Sequence, residues 1–459
     1  MSDFPEKTST EASPPRGRIP HPVLTTALAG INVLVFAAMV SRTHSINSFT
    51  NDQVLAWGAD WGPLTLGGQP WRALTSTYVH GGIVHIALNM WCLWNLGMLA
   101  EPIFGRLAFF LMYTVCGIAG SILSLFINPT TVSVGASGAV FGIAGALIAA
   151  LYLGKLPVDR RALRPTLKSL VSFAGYNLIF GFAGNAAGFG IDNSAHIGGL
   201  VMGLAIGALL GQILVEPRPI RRRNEVLVFV ATAVLLIVAT LALQKSRGYV
   251  ALLNRASDAI KNNKLNDAAK DLQQVIERSP KNNLALVLLG NVYLQQKDYP
   301  KAEGVLKKAE ANDPGNLGVQ YNLGLLYEAT DRFEQARVIF ERLTRENSED
   351  EDAWVLLGAA LDGLGRETEA IHAYQRAVGI NPNNAEAHRE LGLAQLKSKQ
   401  VDAGIASLKK SLDLDPKNPE TWRNLGTAYI AANRPDEAAK AFQKFHELQG
   451  TSQNPATTD

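Results

Sequence analysis

Seven apolar stretches, at about residues 23–41, 84–101, 107–127, 135–154, 167–184, 194–214 and 225–243, constrain this chain more than any other feature. A helix rises about 1.5 Å per residue, so roughly 20 apolar residues cross a hydrocarbon layer of about 30 Å. Hydrocarbon offers no partner to backbone N–H and C=O groups, which leaves the helix as the conformation for such runs. The chain up to about residue 243 is therefore expected to be a polytopic bundle of membrane-spanning helices. From about residue 249 onward Lys, Glu, Asp and Asn recur every few positions, so the two halves are built for different solvents.

The expected organisation is all-α: a disordered cytosolic tail over 1–22, a membrane domain over 23–215, a basic loop with a seventh helix over 216–248, a repeat region over 249–449 and a disordered tail over 450–459. The segment before Pro22 is rich in Pro, Ser, Thr and charge and lacks the compact apolar core of a signal peptide. Basic residues mark the loops that stay inside. They fall in the tail (Lys7, Arg16, Arg18), between spans four and five (Lys155, Arg160, Arg161, Arg164, Lys168) and between six and seven (Arg218, Arg221, Arg222, Arg223). The alternate loops are nearly free of them, so the N-terminus is expected in the cytoplasm and, after seven spans, the repeat region outside. A prokaryotic plasma membrane fits such a chain. The net charge is +3, with no basic patch interleaved with aromatics, which excludes nucleic acid as a partner. The two cysteines, Cys92 and Cys116, have no CxxC spacing and read as small buried hydrophobes.

Strongly polar side chains inside a membrane are costly, and each is a functional candidate until paired. "HGGIVHIALN" places His80, His85 and Asn89 at the start of the second span, "VSVGASGAVFG" places Ser137 at the start of the fourth, and "NSAHIGGLVMG" places His196 near the start of the sixth. In the expected topology these three spans begin on the outer side, so the groups share one depth. Gly138, Gly142 and Gly145 follow the serine and Gly199, Gly203, Gly207 and Gly211 follow His196, the spacing that lets membrane helices touch along their backbones. A serine hydroxyl becomes a nucleophile when a base takes its proton, and neutral imidazole suits that task. Ser137 is thus the candidate nucleophile and His196 its base. His85, Asn89 and the Ser137 N–H are candidate donors to the oxyanion of a tetrahedral intermediate. Asp192 stands four residues before His196, but the pattern favours a dyad over a triad. His80 reads as structural. Neither HExxH nor a third ligand accompanies the histidines, so no metal or other cofactor is expected.

These residues resemble the rhomboid family of intramembrane serine proteases. "GASGAVFG" is similar to the family's GxSG box, with Gly135, Ser137 and Gly138. "AHIGGLVMG" resembles its sixth-helix motif, with His196 and Gly199, and "HGGIVHIALN" its second-helix box. Trp71 and Arg72 resemble the first-loop Trp-Arg element, and Glu101 with Gly105 and Arg106 the motif that closes the second helix. The resemblance covers about residues 20–215. It implies a six-helix core, a Ser137–His196 dyad, oxyanion roles for His85 and Asn89, and transmembrane segments of other proteins as substrates, cut near the outer face. It also implies that the fifth span is a lateral gate, with Phe173, Tyr176 and Phe180 as gate residues. One position departs: some members carry a tyrosine against the base where this chain has Phe141, which can stack on His196 but donates no hydrogen bond.

Beyond residue 249 a 34-residue period emerges. Pro280, Pro314, Pro382 and Pro416 fall on it with Ser348 in the vacant place; so do Gly290, Gly324, Gly358, Gly392 and Gly426, and Ala268, Ala302, Ala336, Ala370 and Ala438, with Gly404 breaking the last column. This resembles tetratricopeptide repeats, about six of them, stacked into an α-solenoid. The resemblance implies a surface for protein or peptide ligands, which would recruit substrates or adaptors.

Overall fold

Both the glycine columns and the apolar runs become helix contacts in the computed structural model, which describes residues 22–155, 159–186 and 191–452. Its chain divides into two compact units that meet between Asn254 and Arg255. The N-terminal tail to residue 21 and the stretch after 452 lie outside the described residues.

In the first unit α1 (Val23–Thr43) leads into a first loop containing the short helices α2 (Asn51–Ala56), α3 (Gly62–Thr65) and α4 (Arg72–Thr75). The long helices α5 (Ile83–Phe104), α6 (Arg106–Ile127), α7 (Ser137–Leu153), α8 (Arg160–Ala186), α9 (Asn193–Ile213) and α10 (Arg218–Arg247) follow. They take up the apolar stretches in order and run on into charged flanks: α8 begins at Arg160 and α10 at Arg218. Among the described residues α1, α5, α6, α9 and α10 are long and apolar enough to cross a membrane. α7 is apolar but shorter, and α8 carries four basic residues in its first turns. α7 is buried almost throughout, as a helix apolar on every side must be.

The seam between α7 and α9 explains the glycines. A Cβ on Gly199 would lie 1.9 Å from the Gly138 carbonyl oxygen, one on Gly203 1.9 Å from that of Gly142, and one on Gly207 2.2 Å from that of Ala146. Only hydrogen fits at these places, and the two backbones touch along the whole register. α1 is tied to the end of α5 by Glu101, whose carboxylate accepts from the Leu24 and Thr25 N–H groups and from the Thr25 hydroxyl. These are the orphan donors of the α1 N-terminus, so a buried carboxylate caps a helix distant in sequence. The seventh helix joins this core: Phe229 and Leu236 are buried in it, and Arg221 donates to the Phe104 carbonyl at 2.9 Å. Beyond it, Leu243 packs with Leu66 and Leu125, and Ala251 reaches the backbone of Gly67, so the chain leaves α10 against the first loop.

α11 (Tyr249–Lys261) and α12 (Leu265–Arg278) lead into antiparallel helix pairs. α13 (Asn283–Gln295) pairs with α14 (Tyr299–Asn312), α15 (Leu317–Ala329) with α16 (Phe333–Glu346) and α17 (Glu351–Gly363) with α18 (Glu367–Ile380). α19 (Ala385–Lys397) and α20 (Val401–Leu414), then α21 (Pro419–Ala431) and α22 (Pro435–Ser452), end the array. Each small residue of the Gly290 column receives a large one from its partner helix: Leu306, Phe340, Tyr374, Leu408 and Phe442 in turn. Two further columns share the period. Asn282, Asn316, Asp350, Asn384 and Asn418 each cap a first helix by accepting from the N–H three residues on. Asn263, Lys297, Asp331, Gly365, Lys399 and Asn433 each take positive φ at the turn between paired helices. α22 runs to Ser452, into the stretch expected to be a tail, because Gly450 does not end it.

Candidate active site

Ser137 is the first residue of α7, half-buried, at the point where backbone N–H groups have no intrahelical partner. Gly135 precedes it with φ +116°, a conformation natural to glycine, and a Cβ there would lie 2.7 Å from His85 Nε2. The loop therefore passes directly beneath the His85 ring. The Gly81 N–H donates to His85 Nδ1 at 3.3 Å, so the neutral ring carries its proton on Nε2, the nitrogen over Gly135. Asn89, one turn along α5 and buried, donates one amide hydrogen to the His85 carbonyl at 2.9 Å and keeps the other. Both side chains thus hold a free N–H beside the start of α7.

His196 sits one turn into α9, 9% exposed. The Gly138–Gly199 contact brings its helix against the turn carrying Ser137. Phe141 stacks on the imidazole with ring centroids 4.5 Å apart and planes 9° apart, and Phe173 of α8 packs on Phe141 at 5.9 Å. The phenyl face fixes the ring plane without a hydrogen bond. Ser137 and His196 are not hydrogen-bonded to each other, yet both line one cavity of about 670 Å³ with His85, Asn89 and Phe141. Catalytic hydrogen bonds are commonly long before substrate binds.

Asp192 lines the same cavity, but its carboxylate is engaged elsewhere. One oxygen caps α9 through the Ala195 N–H at 3.1 Å, and the other accepts from the Ser133 hydroxyl at 2.6 Å. His196 Nδ1 is buried with no hydrogen-bond partner, so no carboxylate completes a triad.

His80 is fully buried, in the loop before α5. Its Nε2 accepts from the Ala136 N–H at 3.4 Å and its ring meets His85 edge-on at 5.2 Å. Burial, then the nearby His85, pushes its imidazole down to about 3, which keeps it a neutral acceptor for the turn before Ser137. Arg72 is buried in the first loop and donates to the Leu55 and Ala59 carbonyls and to Gln69 Oε1, while its guanidinium lies 4.8 Å over the half-exposed Trp71 ring. Trp71, Arg72 and Glu101 thus hold the scaffold at a distance from the cavity.

On α8 the sequence pattern is sharpened. Phe173 and Phe180 line the cavity, whereas Tyr176 is 73% exposed and outside the lining. Asn177 takes the place between them, four residues after Phe173 and three before Phe180 on one helix face. Sequence reading by aromatic type passes over it; helical spacing alone would have found it. Asp60 of the first loop was missed as well: fully buried, it pairs by backbone with Ser133, the residue bonded to Asp192. No periodic signal marks it.

Residues 67–213 match the Rhomboid domain family. Over 230 residues the chain is 30% identical to the rhomboid protease AarA of Providencia stuartii, covering 46% of this chain and 80% of AarA. The chain belongs to the rhomboid family. A second rhomboid relative, the rhomboid protease GluP of Bacillus subtilis, is 32% identical over 312 residues, 67% of this chain. This rhomboid spans 58% of the length of GluP. Its second unit matches Tetratricopeptide repeat families at 253–316, 293–361 and 396–444, and a TPR repeat family at 364–399. Among solved structures, YrrB, titled a TPR protein with an unusual peptide-binding site, is 22% identical with a TM-score of 0.34, covering 40% of this chain and 94% of that one.

Proposed function

We propose that this rhomboid is an intramembrane serine endopeptidase that cleaves transmembrane segments of other proteins with a Ser137–His196 dyad. The observation that carries the reading is the α7–α9 seam, which brings a hydroxyl and an imidazole to one cavity with the ring held flat by Phe141. Ser137 Oγ attacks the scissile carbonyl carbon as its proton passes to His196 Nε2, the ring nitrogen left available by the buried Nδ1. The carbonyl oxygen becomes an oxyanion and takes hydrogen bonds from His85 Nε2–H, Asn89 Nδ2–H and the Ser137 N–H, each contributing roughly 3 kcal/mol in the transition state. The imidazolium then protonates the leaving nitrogen as the C–N bond breaks. Water, deprotonated by His196, cleaves the Ser137 ester and restores the dyad.

The repeats recruit substrate or adaptor proteins, a reading supported by the match of this region to tetratricopeptide repeats. With the basic loops inside, the repeats stand outside a prokaryotic plasma membrane. In liposomes carrying a fluorogenic transmembrane substrate, Ser137→Ala and His196→Ala lose cleavage by a factor of about 10³ or more while still inserting. Cleavage retained by both variants overturns the assignment.

A further inference from the structure

On the proposed reading the repeats recruit another protein, and we infer that they take a lysine or arginine side chain of that partner between Glu328 and Glu390, over the hydroxyl of Tyr374. The large residues set against the Gly290 column are Leu306, Phe340, Leu408 and Phe442, and Tyr374 alone among them adds a hydroxyl. Packing asks only for the ring, which lies across Gly358 at 2.6 Å from where a Cβ would stand. Tyr374 is 3% exposed, and its hydroxyl has no hydrogen-bond partner among the described residues. A buried group left unsatisfied costs folding free energy that phenylalanine, used at two of these places, avoids.

The hydroxyl faces carboxylates from three successive first helices. Burial, then Glu390 of α19, Asp362 of α17 and Glu328 of α15, push the phenol up. α15 and α19 both pack on α17, so acids of the two outer helices come together across it on the inner face of the array. Lys397 bridges Asp362 at 2.8 Å and Arg389 bridges Glu390 at 2.6 Å. Glu328 is half-buried without an ion pair among the described residues, and burial, then Glu390, holds its carboxyl above the usual range. Exposed Asp352 on α17 extends the acidic face. Among the described residues no three acids, cysteines or histidines converge closely enough to hold a metal ion. Acids spread over three repeats instead match the cations of an extended segment. An ammonium or guanidinium between Glu328 and Glu390 would donate to both carboxylates and to the phenol oxygen, satisfying the groups that folding leaves open.

The test measures fluorescence anisotropy of short peptides on the full chain in detergent at low salt, with Lys, Glu or Gln alternating with Ser. The lysine peptide is expected to bind and the glutamate peptide not to. Tyr374→Phe should weaken the lysine peptide about fivefold, the scale of one neutral hydrogen bond, and Glu328→Gln about tenfold, the scale of a charge-assisted one. Neither variant should melt below the wild type, since each removes a group that folding leaves unsatisfied. Asp436→Asn takes the same charge from the exposed surface of α22 and should leave the affinity unchanged. Equal weakening by Asp436→Asn, or unchanged affinity in both Tyr374→Phe and Glu328→Gln, would overturn the inference. Preference for the glutamate or the glutamine peptide would overturn it and leave recruitment by the repeats standing, whereas binding of none of the three would strike both.

Discussion

Asp60 shows how much a single residue of the first loop can carry. It is fully buried, Thr65 donates to its carboxyl at 2.6 Å, and its backbone pairs with Ser133, which is bonded to Asp192 at the head of α9. Burial pushes its carboxyl up to about 7; the Thr65 bond opposes the rise, Asp192 adds to it and Arg72 offsets part of it. The unfolded aspartate releases its proton near 3.8, whereas the folded one keeps it to about 7. Native protein therefore binds more protons between these values, and stability falls as pH rises through that window before levelling off. Thermal unfolding in detergent should show a higher midpoint near pH 5 than near pH 8, and Asp60→Asn should remove most of that difference. An unchanged difference in the variant would assign the pH dependence to other groups.

At the scale of elements, the seam between α7 and α9 bears the candidate site. Gly199→Ala places a methyl 1.9 Å from the Gly138 carbonyl and must separate the helices. The expected cost is about 1–3 kcal/mol of stability together with loss of cleavage, since His196 moves with α9. Gly30→Ala, on the exposed face of α1 with no atom within 4 Å, should change neither. Glycine spacing made this seam legible from the chain alone, as the 34-residue period did for the paired helices of the second unit. What could not be read were contacts with no local signature. The Glu101 cap of α1 joins residues 76 apart, and the Asp192 bond to Ser133 joins residues 59 apart. The turn and cap columns of the repeats were periodic too, but they mix Asn, Asp, Lys and Gly, so their common geometry hides behind different residue types.

For the whole molecule, a rhomboid unit with membrane-length helices precedes a unit of tetratricopeptide repeats. The proposed topology of seven spans, with basic loops inside, would put the repeats outside. A C-terminal reporter that folds only beyond the cytoplasm should be active, and activity of a strictly cytoplasmic reporter would reverse the topology. The central claim is that Ser137 is a nucleophile armed by His196 across the seam. A phosphonate probe that forms a covalent bond with activated serine, applied to the full chain in liposomes and mapped by mass spectrometry, tests it most directly. The account predicts one adduct on Ser137, with labelling slowed by a factor of about 10² or more in His196→Ala. An adduct rate unaffected by His196→Ala, or no adduct on Ser137 in protein that cleaves its substrate, would contradict it.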